Sequence, residues 1–369
     1  MALARGPPDR AAEGDVRGSA GPELDPDRTA GHPTHVEDPS IEQLADAAAH
    51  TDDLAVRRTL FGRRELISTL IPIALIILAA RNVDWNEAAR ALGRANGYFV
   101  LLALVVYYAT FPLRAWRWSR LLRESGTNIY WRDLLKILFL GWFVNSIVPA
   151  KLGDLYRSYL VKQRFGISLS RTVGVVVAER LLDILVVFVM LIVGGYVAFG
   201  RTILPDLTIV YLTGGALALL IVGGLAGMYF IAPRIARFFP GEAQRIGRLF
   251  REGVLHSFRA LPTAGPVTLV IWTAEALRLY FVLTALGLEL PLSGVVFVAV
   301  AVALLTTVPL TPAGFGFVEI AMVYVLTQGF GLVQHDAIAV AIVDRAVSVL
   351  SVIIVGGIVY WTSREELHR

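Results

Sequence analysis

Ile137-Leu138-Phe139-Leu140-Gly141-Trp142-Phe143-Val144-Asn145-Ser146-Ile147-Val148-Pro149-Ala150-Lys151-Leu152-Gly153-Asp154 is the stretch that decides how this chain is read. Its apolar part lasts from Ile137 to Val148, and then Pro149 stops the helix and a polar run with Lys151, Asp154 and Arg157 begins. A helix needs about 20 apolar residues to cross the hydrocarbon layer. This one is too short, so it is expected to enter a membrane and turn back.

The surroundings require a membrane. Of 369 residues, 56% are hydrophobic and 17% charged, with a mean hydropathy of +0.62. A single water-soluble domain of that size cannot hide so much apolar surface. Further apolar runs lie at 65–80, 97–113, 172–199, 207–232, 265–287, 293–311, 313–333 and 336–361. The expected fold is an all-α polytopic membrane protein with about six full spans and two re-entrant or broken helix pairs, at 137–149 and within 293–333. The second pair fits either a re-entrant hairpin or two thin spans. The 33 Gly fall mostly inside apolar runs, which suits membrane helices that pack closely or break. Gly223 and Gly227 make a GxxxG spacing that allows a homodimer.

Charge divides the chain. Residues 1–56 carry 4 Arg against 12 Asp plus Glu, a net −8, and have almost no large apolar side chains. They read as a disordered acidic tail. Residues 57–363 form the membrane domain and 364–369 a short tail. Arg57, Arg58, Arg63 and Arg64 precede the first span, while Arg114, Arg117, Arg120, Arg123, Arg132 and Lys136 follow the second, which puts both places in the cytoplasm. A hairpin at 137–149 keeps Lys151, Arg157, Lys162, Arg164 and Arg171 on that side too. The loop Pro233 to Pro262, with Arg234, Arg237, Arg245, Arg248, Arg251 and Arg259, is also cytoplasmic by this count; its basic pattern suits anionic headgroups or ordinary positive-inside bias. Both termini are expected inside, in a multi-pass cell-membrane protein. Arg114, Arg117 and Arg120 with Trp116 and Trp118 read as an interfacial belt of snorkelling cations and aromatics.

Two broken segments resemble each other: Pro149-Ala150-Lys151-Leu152-Gly153 and Pro312-Ala313-Gly314-Phe315-Gly316. Each is followed by an acidic residue, Asp154 or Glu319, and then by an acid–Arg pair, Glu179-Arg180 or Asp344-Arg345. The first unit enters from the cytoplasm and the second from outside, the arrangement of an inverted repeat around a midplane site.

Charges deep in a bilayer cost about 2.5 to 3.5 kcal/mol each at a helix centre on insertion scales, so each needs a partner or a function. Arg180 has Asp183 three positions on, and Glu179 lies four before Asp183, which makes a charged stripe. It either neutralises itself or offers Arg180 to a phosphate or carboxylate. Glu275 and Arg278 are an i, i+3 pair open to the same two readings. Arg345 cannot face Asp344 and is expected to meet Glu319 or an incoming anion. Pro149 and Pro312 stop helices, and Gly153, Gly314 and Gly316 allow tight turns that expose backbone groups. The helix beginning near Gly316 would present a partly positive end as an anion site. Asn145, polar within an apolar half-helix, suits a helix-to-helix hydrogen bond.

Absent Cys excludes disulfides, iron–sulfur clusters and thiol catalysis, and the six His have no metal-site spacing. No HExxH, GxSxG, P-loop or GxGxxG motif occurs. No cofactor, metal, nucleic-acid partner or enzymatic activity is expected.

Three motifs together carry a resemblance: Asn145-Ser146-Ile147-Val148-Pro149-Ala150-Lys151-Leu152-Gly153-Asp154-Leu155-Tyr156-Arg157, Glu179-Arg180-Leu181-Leu182-Asp183, and Pro309-Leu310-Thr311-Pro312-Ala313-Gly314-Phe315-Gly316-Phe317-Val318-Glu319. In this order they resemble the flippase-like membrane domain of lysylphosphatidylglycerol synthases and their stand-alone relatives, over about residues 60 to 362. The resemblance implies a lipid-translocating or lipid-handling module whose path is lined by Asn145, Pro149, Gly153, Asp154, Arg157, Glu179, Arg180, Asp183, Pro312, Gly314, Gly316 and Glu319. Asp154 stands where Glu is commoner, and Ala313 replaces a Gly. The chain ends eight residues after Trp361, so the family's soluble aminoacyl-transfer domain is not expected here.

The leading expectation is therefore translocation of an anionic lipid: a phospholipid, an aminoacyl-phospholipid or a polyprenyl-phosphate carrier. Arg180 and Arg345 are expected to neutralise the headgroup while Glu179, Asp183 and Glu319 hold them and are freed in turn; Lys151, Glu275, Arg278 and Asp344 are further candidate binding or translocation residues. Alternatives are a secondary transporter of a small solute, with Glu179 and Glu275 carrying protons, and an accessory subunit of a lipid-modifying or glycosyl-transferring partner enzyme.

Overall fold

A computed structural model describes residues 85–148, 151–200, 208–238, 240–306 and 312–367. The acidic tail, the apolar run 65–80 and Pro149 lie outside them. Among the described residues, all regular structure is helical. Helix α1 (Trp85–Gly93) is followed by α2 (Gly97–Glu124), whose Asn96 side chain accepts from the Tyr98 amide at 3.0 Å and caps the first turn. Helix α3 (Trp131–Ile147) ends where Val148, ahead of Pro149, takes an extended conformation, as a residue before proline favours. After this first break, α4 (Leu152–Phe165) stops at Gly166, held at φ 67°. The 31-residue α5 (Leu169–Phe199) follows, then α6 (Thr208–Phe230) and the single turn α7 (Ala232–Ala236).

The segment read as a cytoplasmic loop is mostly helical. Gly241–Ser257 forms α8, which runs on through Phe258–Ala260 into α9 (Leu261–Ala285). Its first half is exposed, but Gly253, Val254 and Ser257 are buried against α5. A Cβ on Gly174 would overlap the Phe250 carbonyl oxygen, and one on Gly253 would overlap that of Arg171. Two backbones meet there because neither helix has a side chain in between. Basic residues in the sequence marked the segment's charge, and a Gly pair far away in sequence set its shape.

Helix α10 (Leu292–Thr306) leads to the second break. Beyond it come α11 (Phe317–Tyr324) with a π-turn at Val325–Gly329, α12 (Gln334–Arg345) with a π-turn at Ala346–Leu350, and α13 (Ser351–Leu367). Four helices among the described residues are long and apolar enough to cross a membrane: Gly97–Glu124, Leu169–Phe199, Gly241–Ala285 and Gln334–Thr362. Leu292–Thr306 and Phe317–Gly329 are shorter, as the expected broken pair requires.

The core forms where α2 packs on α9, α3 and α5, with α10 behind α5. Phe111 of α2 stacks on Phe139 of α3 with ring centroids 4.1 Å apart. The outer faces stay apolar: Leu212, Leu219 and Leu220 of α6 are 67%, 75% and 72% exposed, a surface suited to hydrocarbon. The chain is an all-α polytopic membrane protein.

Candidate functional site

The two breaks face one cavity of about 200 Å³. Lys151 reaches it from the first break, Ala313 and Gly314 from the second, and Arg114, Arg180, Glu275, Arg278, Asp344 and Arg345 from the surrounding helices. Among the described residues, two that are not glycine have positive φ: Lys151 at 54° and Ala313 at 50°. Each sits in one break. A side chain in this region costs about 1–2 kcal/mol, so both turns are held by their surroundings.

Gly153 is not one of the turning residues. It lies in α4, where a Cβ would overlap the Gly141 carbonyl oxygen and crowd the Asn145 backbone amide and side chain. Its missing side chain lets α4 fold back against α3, and the turn falls on Lys151. Asn145 makes the expected inter-helix bond, donating from Nδ2 to Asp154 Oδ1 at 3.2 Å.

Arg180 departs from the stripe on its own helix. It donates from Nε to Asp154 Oδ2 at 2.9 Å and from Nη2 to Oδ1 at 2.8 Å, whereas Asp183 is 3.8 Å away. A planar fork on a carboxylate is stronger than the i, i+3 contact. Asp183 and Glu179 instead hold Arg117, which is 0% exposed and donates to Asp183 at 2.6 and 3.1 Å, to Glu179 at 2.8 Å and to the Thr268 hydroxyl at 2.8 Å. Trp272 Nε1 adds a bond to Asp183 at 3.2 Å, and Arg157 closes on Glu179 at 2.9 Å with its guanidinium 4.8 Å from the Trp118 ring centre.

The interfacial belt does not form at Arg114, Arg117 or Trp118, which are buried at 2%, 0% and 0% exposure. Arg120 over Trp116, at 5.4 Å, remains a peripheral pair. Arg114 and Arg117 are one helical turn apart and turn inward because carboxylates on α5 and α9 need counter-charge where water is absent. That requirement was the available signal: Glu179, Asp183, Glu275 and Asp344 call for more cations than their own helices supply.

At the second break, Arg345 meets Glu319 at 2.8 Å, the pairing expected of it. The α11 N-terminus, read as an anion site, is filled by the chain itself: the Gly316 amide donates to Glu319 Oε2 at 2.6 Å. An acidic residue three positions into a helix reaches back to its first amides more readily than any diffusing anion. Gly314 and Gly316 hold φ of 74° and 83°. Asp344 pairs with Arg278, which also donates to Glu275 at 3.0 Å, and Glu275 in turn holds Arg114 at 2.6 Å. Glu275 and Arg278 are thus the middle of a four-residue chain rather than an isolated pair. Arg114 lies 4.7 Å from the Trp142 ring centre, and Tyr107 fixes the far wall by donating to the Ser348 carbonyl at 2.9 Å.

The spacing within the two halves coincides. Arg180 follows Asp154 by 26 positions, and Arg345 likewise follows Glu319 by 26, each pair joining a break to the long helix after it. The charges nearly balance. Seven bases (Arg114, Arg117, Lys151, Arg157, Arg180, Arg278 and Arg345) meet six carboxylates (Asp154, Glu179, Asp183, Glu275, Glu319 and Asp344), a net +1. Among the described residues Lys151 is the base in this group without an ion-pair partner. No cluster of three or more His, Asp or Glu among them is arranged to hold a metal ion.

The family profile described as "Lysylphosphatidylglycerol synthase TM region" matches residues 66–356. A UPF0104 membrane protein of Methanocaldococcus jannaschii is 32% identical over 220 residues, 59% of this chain and 93% of the relative. Another UPF0104 membrane protein, from Methanothermobacter thermautotrophicus, is 25% identical over 312 residues, 76% of this chain and 90% of the relative. The glycosyltransferase AglD of Haloferax volcanii is 29% identical over 334 residues, 79% of this chain; the chain spans 53% of that protein's length.

Proposed function

The chain belongs to the lysylphosphatidylglycerol synthase transmembrane-region family, and from that premise we propose that it receives an anionic lipid headgroup in the cavity and passes it across the cell membrane. The observation that carries this reading is the net-positive cavity enclosed by two broken helices, each closed by a carboxylate–arginine pair. A headgroup phosphate competes with Asp154 for Arg180 and with Glu319 for Arg345. Exchange at one pair and then at the other opens the cavity to each leaflet in turn, as in carriers built from inverted repeats. The chain supplies charge and shape to this process and no covalent chemistry. Both termini face the cytoplasm.

Reconstituted protein tests the reading. Arg180→Ala and Arg345→Ala should each slow movement of a fluorescent phosphatidylglycerol between leaflets by roughly tenfold, equivalent to about 1.4 kcal/mol of lost interaction. Wild-type rates in both variants would overturn it.

A second reading rests on the likeness to AglD. The chain would then hold a polyprenyl-phosphate lipid for a partner glycosyltransferase without moving it. Glycosyl transfer by co-reconstituted partner enzyme, increased by this chain while leaflet exchange stays at the vesicle baseline, would favour that role.

A further inference from the structure

We infer that the cavity's ligand carries a single net negative charge on a phosphodiester, and that Lys151 is the residue that sets this preference. The inference rests on the reading of the cavity as a lipid-headgroup site and narrows it to one charge class. Among the described residues around the cavity every carboxylate has an arginine within ion-pair distance, and each arginine has a carboxylate. One positive charge in this group is left over. It belongs to Lys151, which lines the cavity and is placed there by the left-handed turn of the first break.

Charge imbalance is expensive in a membrane interior, where each unmatched ion costs a few kcal/mol. One negative charge brought by the ligand balances Lys151 while both gate pairs are still formed, before the headgroup exchanges with either carboxylate. A net-neutral headgroup leaves the lysine unmatched. A phosphomonoester, which carries about −1.5 to −2 at neutral pH, exceeds that single charge and leaves the closed site net negative.

Lys151→Asn removes the charge while keeping a residue type that tolerates the left-handed conformation, and Lys151→Arg keeps the charge. Full-length protein is placed in nanodiscs holding equal amounts of phosphatidylglycerol (one negative charge), phosphatidylethanolamine (none) and phosphatidic acid (a monoester). Lipids retained after mild extraction are weighed by mass spectrometry, and thermal unfolding verifies the fold of each variant. The wild type and Lys151→Arg should retain phosphatidylglycerol over both others by roughly tenfold, about 1.4 kcal/mol. Lys151→Asn should lose the preference over phosphatidylethanolamine. Preferential retention of phosphatidic acid by the wild type, or an unchanged preference in folded Lys151→Asn, would overturn the single-charge inference and leave the anionic-lipid reading in place. Equal retention of all three would overturn both. Excess soluble glycerophosphoglycerol separates the sources of the charge: release of phosphatidylglycerol by it keeps the single-charge rule but shows that acyl chains are not needed for recognition, which counts against lipid handling.

Discussion

Asp154–Arg180 and Glu319–Arg345 close the same cavity across the same sequence separation, yet they are braced differently. Asp154 accepts two bonds from Arg180 and a third from Asn145, with Arg157 3.5 Å away. Behind it stand Arg117, Glu179 and Asp183, all buried. Glu319 divides itself between Arg345 and the Gly316 amide, and its side chain is 23% exposed. The backbones differ too, since among the described residues the first break has one left-handed residue, Lys151, and the second has Ala313, Gly314 and Gly316. A repeated sequence pattern thus yields one latched half and one looser half, because Arg117 of α2, outside the repeat unit, anchors the carboxylates behind the first pair.

The largest test of this contrast is Arg117→Ala. It leaves Glu179 and Asp183 short of a buried counter-charge and should cost about 3–5 kcal/mol, seen as poor accumulation or a much lower unfolding temperature in detergent. Arg345→Ala, at the looser pair, should cost about 1–2 kcal/mol by the same measurement. Equal losses would mean that the halves are equally braced.

Next comes the backbone contact. Gly153→Ala forces α4 away from Gly141 and should destabilise by about 3 kcal/mol, whereas Gly314→Ala, whose Cβ would press on the Val318 side chain rather than on backbone, should cost about 1–2 kcal/mol for its left-handed φ. Ranking the two unfolding temperatures the other way would place the tighter break second.

Asp154→Asn removes a carboxylate with three partners and should destabilise by about 2–3 kcal/mol; Glu319→Gln should cost about 1 kcal/mol and speed lipid exchange if the second pair is the easier gate. Slower exchange in Glu319→Gln would count against that order of opening. The smallest effect is expected at Ala313→Gly, which relieves a left-handed alanine and should raise stability by about 0.5–1 kcal/mol after the entropy of the added glycine is set against it. A lower unfolding temperature there would show that the methyl group packs usefully in the break.

Much of the fold was legible in local signals. Proline after twelve apolar residues marked the first break, and apolar length marked the long spans, because each depends on a short window of chain. Arg345 meeting Glu319 was also readable, since helical geometry denied it Asp344 and left few acids nearby. The pairing of Arg180 was not. Its same-helix neighbour Asp183 lay at a favourable spacing, but Arg117 from α2 took that carboxylate and the fold-back of α4 brought Asp154 within reach of both arginine nitrogens. Likewise Arg114 and Trp118 have the composition of an interfacial belt, and only the carboxylates of other helices show that they point inward.

By itself the sequence determined that this is a helical membrane protein with interrupted helices and more intramembrane charge than packing needs, since hydropathy, proline and glycine act over a few residues. The tertiary structure decided which acid holds which base, and that among the described residues of the site Lys151 is left without an ion-pair partner. Ion pairing in a low-dielectric interior is settled by distances of a few ångströms between helices, and no spacing along one helix fixes those distances.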